Sequence, residues 1–153
     1  TTHSPYLYKS LYRDGGVFVT TRSNDGNYGI EKMTDGNGLF PWSPSWGEIN
    51  YAAFSMPTVE LHNELYGYLQ ECAGLIRLDE FDTHLVSKGI QKTKQWIKSQ
   101  NGVQQPATQV SLQTYIRNTI HHPENRLNSP YTDEEFTNSI EQMIGIIKQE
   151  AAV

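Results

Sequence analysis

Cysteine is nearly absent from this 153-residue chain: Cys72 stands alone, so no internal disulfide can form and a reducing, cytoplasmic setting is the natural expectation. Clusters of Cys and His are missing too, which argues against structural zinc. No apolar run approaches the length of a membrane span, and the first residues carry no signal-peptide pattern, so no membrane partner is expected. There is no low-complexity tract and no Gly-rich phosphate loop with its Lys, so the chain by itself is not expected to hydrolyse ATP. What remains is a folded protein with 37% hydrophobic residues, 11% of all residues aromatic, and enough length for one domain or a small domain plus an appendage.

The net charge of −5 is unevenly distributed. Residues 1–83 hold five Lys or Arg against eleven acids, and residues 131–153 hold Lys148 against five. Between them, residues 84–130 hold six cations (Lys88, Lys92, Lys94, Lys98, Arg117 and Arg126) against Glu124 alone. A local basic band is what phosphate binding needs, although a row of lysines is more commonly a solvated helix face.

Val17–Thr21 and Tyr28–Met33 are rich in β-branched and aromatic residues and flank Asn24-Asp25-Gly26-Asn27, so residues 17–33 read as a hairpin. A short helix is expected from Pro5 to Tyr12, with a turn at Asp14-Gly15-Gly16. Leu39–Trp46 contains two prolines and reads as an aromatic linker that Trp42 and Trp46 pin down. A helix is expected from near Ser55–Thr58 to Gly74, with Leu61, Leu65, Tyr68, Leu69 and Cys72 on its apolar face and His62 mainly on the other side. A second is expected from Asp79–Thr83 to Asn101-Gly102, with Lys88, Lys92 and Lys98 facing away from its apolar stripe. The last helix opens with Thr132 as N-cap, Glu135 completing a capping box and Tyr131 with Phe136 as a hydrophobic staple.

The third helix carries the most chemistry. Leu112, Ile116 and Ile120 recur every four residues, and Pro123 should stop the helix near His121 or His122. Arg117, Asn118, His121 and His122 then crowd its end. Imidazoles pass protons near neutral pH, and a guanidinium can hold a phosphate and neutralise charge that builds on it. Such a set suits metal-independent RNA cleavage, in which the ribose 2′-hydroxyl is the nucleophile. At roughly 100° per residue, Arg117 and His121 share a face and His122 lies about 140° away. The bland alternative is that these cations complement the helix dipole, and that Glu124 and Asn125 cap a loop.

Arg117-Asn118-Thr119-Ile120-His121-His122 resembles the signature of the HEPN superfamily, an Arg often followed by Asn and then, after a few residues, by His; Arg117 and His122 fit with four between them. The resemblance covers the helical part. It implies an up-and-down helical bundle that forms homodimers, with Arg117, Asn118 and His122 (or His121) catalytic, and ribonuclease toxin or docking activity. Helix geometry favours His121; the family pattern favours His122, which the proline break can re-aim. Lys88, Lys92, Asn125 and Arg126 are the accompanying candidates for RNA contact.

Thr1-Thr2-His3-Ser4-Pro5 resembles the end of the core of ABC-type and OLD-like ATPases, where a His reaches the γ-phosphate. This implies that the chain is a piece of a longer antiphage ATPase, that His3 is a nucleotide-binding residue only when joined to an upstream core, and that ATP and Mg are cofactors only there. The expected architecture is therefore mainly α: a β-hairpin region and linker over residues 1–50, then a HEPN-like helical bundle over 51–153. The expected partners are RNA, a second copy, and an ATPase or antitoxin. The competing expectation is a non-catalytic helical module for assembly or partner binding.

Overall fold

A computed structural model describes residues 17–23, 25–33 and 38–151. The expected helix at Pro5–Tyr12, the turn at Asp14–Gly16 and the candidate His3 lie outside them. The architecture is mainly α, with five helices among the described residues, and no helix is long and apolar enough to cross a membrane. The chain divides into two compact units, one ending at Leu61 and one beginning at His62.

In the first unit, β1 (Val17–Arg22) and β2 (Tyr28–Met33) pair antiparallel from Val17 opposite Met33 to Arg22 opposite Tyr28. This is the expected hairpin. Its turn closes through Ser23 N–H to Asn27 O at 2.9 Å and Gly26 N–H to Ser23 O at 2.9 Å, with Gly26 at φ 86°. Val19 points inward and β1 packs against the first helix, α1 (Trp46–Phe54). That helix was not expected. Its N-cap is Ser45, whose hydroxyl accepts from Glu48 N–H at 3.2 Å while Glu48 Oε2 accepts from Ser45 N–H at 2.7 Å. Ser45-x-x-Glu48 is thus a capping box standing directly behind the prolines. Glu48 also gathers Leu39 N–H at 2.7 Å and Ser43 Oγ–H at 2.8 Å, so the aromatic linker is a loop folded around one buried carboxylate. A Cβ on Gly38 would lie 1.9 Å from Ser43 Cβ, so this loop requires glycine there. Trp42 stacks on Phe40 at 5.1 Å.

In the second unit, α2 (Val59–Cys72) and α3 (Leu78–Ser87) precede a β-arm, and α4 (Leu112–His121) and α5 (Asp133–Ala151) follow it. Leu65, Tyr66 and Leu69 of α2, Phe81 and Leu85 of α3, Ile116 of α4, and Phe136, Ile140 and Met143 of α5 are buried. Tyr66 meets Phe81 edge-on at 4.9 Å. α5 starts as expected: Thr132 Oγ accepts from Glu135 N–H and Glu135 Oε2 from Thr132 N–H, both at 3.1 Å, and Tyr131 stacks on Phe136 at 5.4 Å.

Three expectations are corrected. Cys72 is exposed, because α2 reaches its end there and turns at Gly74, φ 65°. His62 lies on the buried side of α2, with Nε2 3.1 Å from Ser139 Oγ and its ring 5.6 Å from Phe136. The helix from Asp79 ends at Ser87: Gly89 takes φ 93°, and Ile90 N–H closes back to Leu85 O at 3.1 Å, the geometry of a glycine-terminated helix. Residues 94–110 instead form the β-arm. Lys94, Gln95 and Trp96 (β3) pair with Val110, Gln109 and Thr108 (β6), and Ser99 and Gln100 (β4) pair with Gln104 and Val103 (β5). Asn101-Gly102, expected as a helix stop, is the hairpin turn, with both residues at positive φ (53° and 76°).

His62 generates a stability prediction. Burial is the main force lowering its imidazole from 6.5 to about 4, with a smaller push from the charge of His121. Its Nδ1 has no protein partner to stabilise a proton. Between these two pH values the unfolded chain binds a proton that the folded chain refuses, so stability present at neutral pH is lost as pH falls from about 6.5 to about 4. The loss is on the order of 3 kcal/mol. Urea denaturation across this range should show the fall, and His62→Phe should flatten it.

Candidate functional site

The site is organised by the two faces of α4. Ser111 caps the helix, its Oγ accepting from Thr114 N–H at 3.2 Å, and its own N–H is held by Asp82 Oδ1 at 2.9 Å. At the other end His122 is the C-cap and its N–H returns to Asn118 O at 2.9 Å, the stop that Pro123 imposes. Thr114, Asn118 and His122, each a helical turn apart, line one side of a cavity of about 730 Å³. α3 contributes Asp82, the β-arm contributes Trp96, Lys98 and Val110, and the loop after α4 contributes Glu124.

His122 is half exposed at this cavity, and its Nδ1 lies 3.4 Å from Glu124 Oε1. Trp96 sits 6.5 Å from the imidazole and is braced edge-on by Tyr115 at 5.7 Å. Asn118 is buried, and its Oδ1 accepts from Arg117 Nη1 at 3.3 Å. Arg117 and His121 do not line the cavity. His121 is exposed, and partial burial, then Arg117, then His122 lower its pKa. The helix thus places Arg117 with His121 and Asn118 with His122, as the 3.6-residue repeat requires.

Beneath the cavity Asp82 is nearly inaccessible. Burial alone would raise its pKa, but hydrogen bonds from Ser111, Lys92 and Thr114 outweigh it and hold the carboxyl below its usual range. Lys92 Nζ is 2.9 Å from Asp82 Oδ2.

No family model, curated protein or solved structure matches the chain.

The accompanying candidates have mixed placements. Lys92 lines the cavity within its ion pair, while Lys88 pairs with Glu150 at 2.7 Å and Lys94 pairs with Glu135. Three cations of the basic band are thereby matched to acids from the other segments. Asn125 lines the cavity edge but is committed to the loop: its Nδ2 donates to Ile97 O at 2.9 Å and its Oδ1 accepts from Leu127 N–H at 3.1 Å. Arg126 is exposed outside the cavity. Sequence reasoning missed Asp82, Trp96 and Thr114 as site residues. The spacing Thr114, Asn118, His122 was the available signal for Thr114; nothing local marked Asp82.

The two kinds of ion pair should separate by mutation. Asp82→Ala leaves Lys92 and Ser111 N–H without their partner and should cost about 3 kcal/mol. Lys88→Ala removes a partly exposed pair and should cost no more than about 1 kcal/mol. Chemical denaturation of both variants checks the contrast.

Proposed function

We propose that this chain is a ribonuclease module that cuts RNA without a metal ion, through Arg117 and His122 of α4. The observation that carries this reading is the half-exposed His122 imidazole at a cavity mouth, backed by the Glu124 carboxylate 3.4 Å from Nδ1. A carboxylate on Nδ1 orients the ring and leaves Nε2 for proton transfer. In the proposed step, His122 takes the proton of a ribose 2′-hydroxyl and that oxygen attacks the adjacent phosphorus. The bond to the 5′-oxygen breaks, and the leaving oxygen takes a proton from a second imidazole, giving a 2′,3′-cyclic phosphate and a 5′-hydroxyl. Arg117 neutralises the charge on the phosphorane, and Asn118 holds Arg117 by its amide oxygen at 3.3 Å.

Arg117 and His122 point away from different faces of one helix, so a complete site requires two copies that each offer part of it. This agrees with the HEPN-like dimeric bundle that the Arg-Asn-x-x-x-His pattern resembles, and His121 is then the natural second imidazole. A place at the effector end of an antiphage ATPase rests on the resemblance of Thr2-His3-Ser4 alone. A specific observation favours the second reading, a non-catalytic helical module for assembly or partner binding: Lys88, Lys92 and Lys94 are matched with acids instead of being presented to phosphates.

The test is digestion of total RNA by the full chain in EDTA, beside Arg117→Ala, His122→Ala, His121→Ala and Glu124→Gln. The expected outcome is cleavage that leaves cyclic phosphate ends, falls by about 100-fold or more in the Arg117 and His122 variants, and falls less in Glu124→Gln. Absence of cleavage by the parent chain would transfer the assignment to the assembly module.

A further inference from the structure

The cavity beside His122 has a chemical character that the cleavage step does not use. Its volume of about 730 Å³ lies in the range of pockets that enclose a small organic ligand. Two of the three carboxylates lining it already face a cation: Asp82 faces Lys92 at 2.9 Å and Asp79 faces Arg77 at 2.8 Å, while Glu124 lies 3.4 Å from the His122 imidazole. The remaining lining cation, Lys98, is exposed at the rim and makes no ion pair among the described residues.

The walls are aromatic and amide in character. The Trp96 and His122 rings form one side, tilted 41° to each other. Asn118 commits its oxygen to Arg117, so what it offers a ligand is an N–H donor. Thr108, paired with Trp96 across the β-arm, and Gln109 add exposed polar side chains to the lining. A space lined by three carboxylates, with the Lys92 cation already engaged by one of them, is a poor receptor for a phosphate. It suits a flat, uncharged heterocycle with donors and acceptors on its edge. Phosphates on either side of that heterocycle would stay outside, at the rim where Lys98 is exposed.

We propose that the cavity is a subsite for one unpaired nucleobase of a single-stranded RNA, adjoining the phosphate at His122. The proposal takes its ligand class from the ribonuclease reading, and it adds a consequence: the module selects its cleavage position by base identity. Asn118 links the two events, because the amide that meets the base also holds Arg117.

The test separates binding from cleavage. Short oligonucleotides of uridine, cytidine or adenosine with every 2′-hydroxyl methylated bind but cannot be cut. Titrated calorimetrically against the full chain, one of the three should bind at least about tenfold more tightly than the others. Ser99→Trp, which fills the cavity mouth from β4, and Thr108→Trp, which fills it from β6, should each abolish the discrimination while their circular dichroism matches the parent. Lys98→Ala should weaken all three about equally, as loss of a phosphate contact does. Equal binding of the three by the parent chain, or discrimination that survives both tryptophan variants, overturns the subsite. Discrimination by a chain that does not cut unmodified RNA keeps the subsite and removes the ribonuclease reading; cutting without discrimination does the reverse.

Discussion

The second unit depends on one buried charge. Asp82, on α3, takes the backbone N–H that begins α4 and the ammonium of Lys92 that leads into the β-arm. A carboxylate that inaccessible is tolerable only with such partners. The partners in turn fix where their elements start. Ser111, held at its N–H, caps Thr114, and the Thr114 hydroxyl lies 3.0 Å from that of Tyr66 in α2. Four elements that are remote in sequence therefore meet through one short polar chain. The orientation of α4 about its axis follows from it, and with that orientation the division of its polar residues into a cavity face and an outer face.

That division decides how the Arg–His motif is to be understood. A motif written along the sequence suggests residues acting side by side, but a helix turns Arg117 away from His122 and toward His121. The side chain that bridges the two faces is Asn118, whose amide lies at the cavity while its oxygen meets the guanidinium. On the ribonuclease reading this makes Asn118 more than a filler between two catalytic groups.

Where chemistry was local, the sequence was legible. The hairpin with its Asp25-Gly26 turn, the stop before Pro123 and the Thr132–Glu135 box all appear where those residues call for them. Where two signals competed, the reading of the chain between Asp79 and Gly102 chose wrongly. Gly89 was a sufficient stop, and Asn101-Gly102 fits a hairpin as well as it fits a helix end. Ser45 and Glu48 form a cap that the neighbouring prolines obscured. The basic band was real as composition but only in part as a free surface: Lys98 and Arg126 are exposed, but counting charges along a segment cannot see that Glu135 and Glu150 on α5 fold back onto Lys94 and Lys88. The cavity was invisible for the same reason: its walls come from α3, the β-arm and α4, brought together by Asp82. The superfamily resemblance rests, as before, on its six residues.

The β-arm has an uneven grip on the rest of the unit. Its base is held by buried Trp96 and Val110, with Tyr115 behind them. Its outer ladder has only the pairs Ser99–Gln104 and Gln100–Val103, and Val103 is largely exposed. Local opening is easiest where backbone hydrogen bonds are few and solvated. The arm therefore works as a cantilever, stiff where it meets the helices and compliant at its tip. Because Ser99, Asn101 and Gly102 border the cavity, the compliant end forms one of its walls, and the width of the cavity follows the position of that tip.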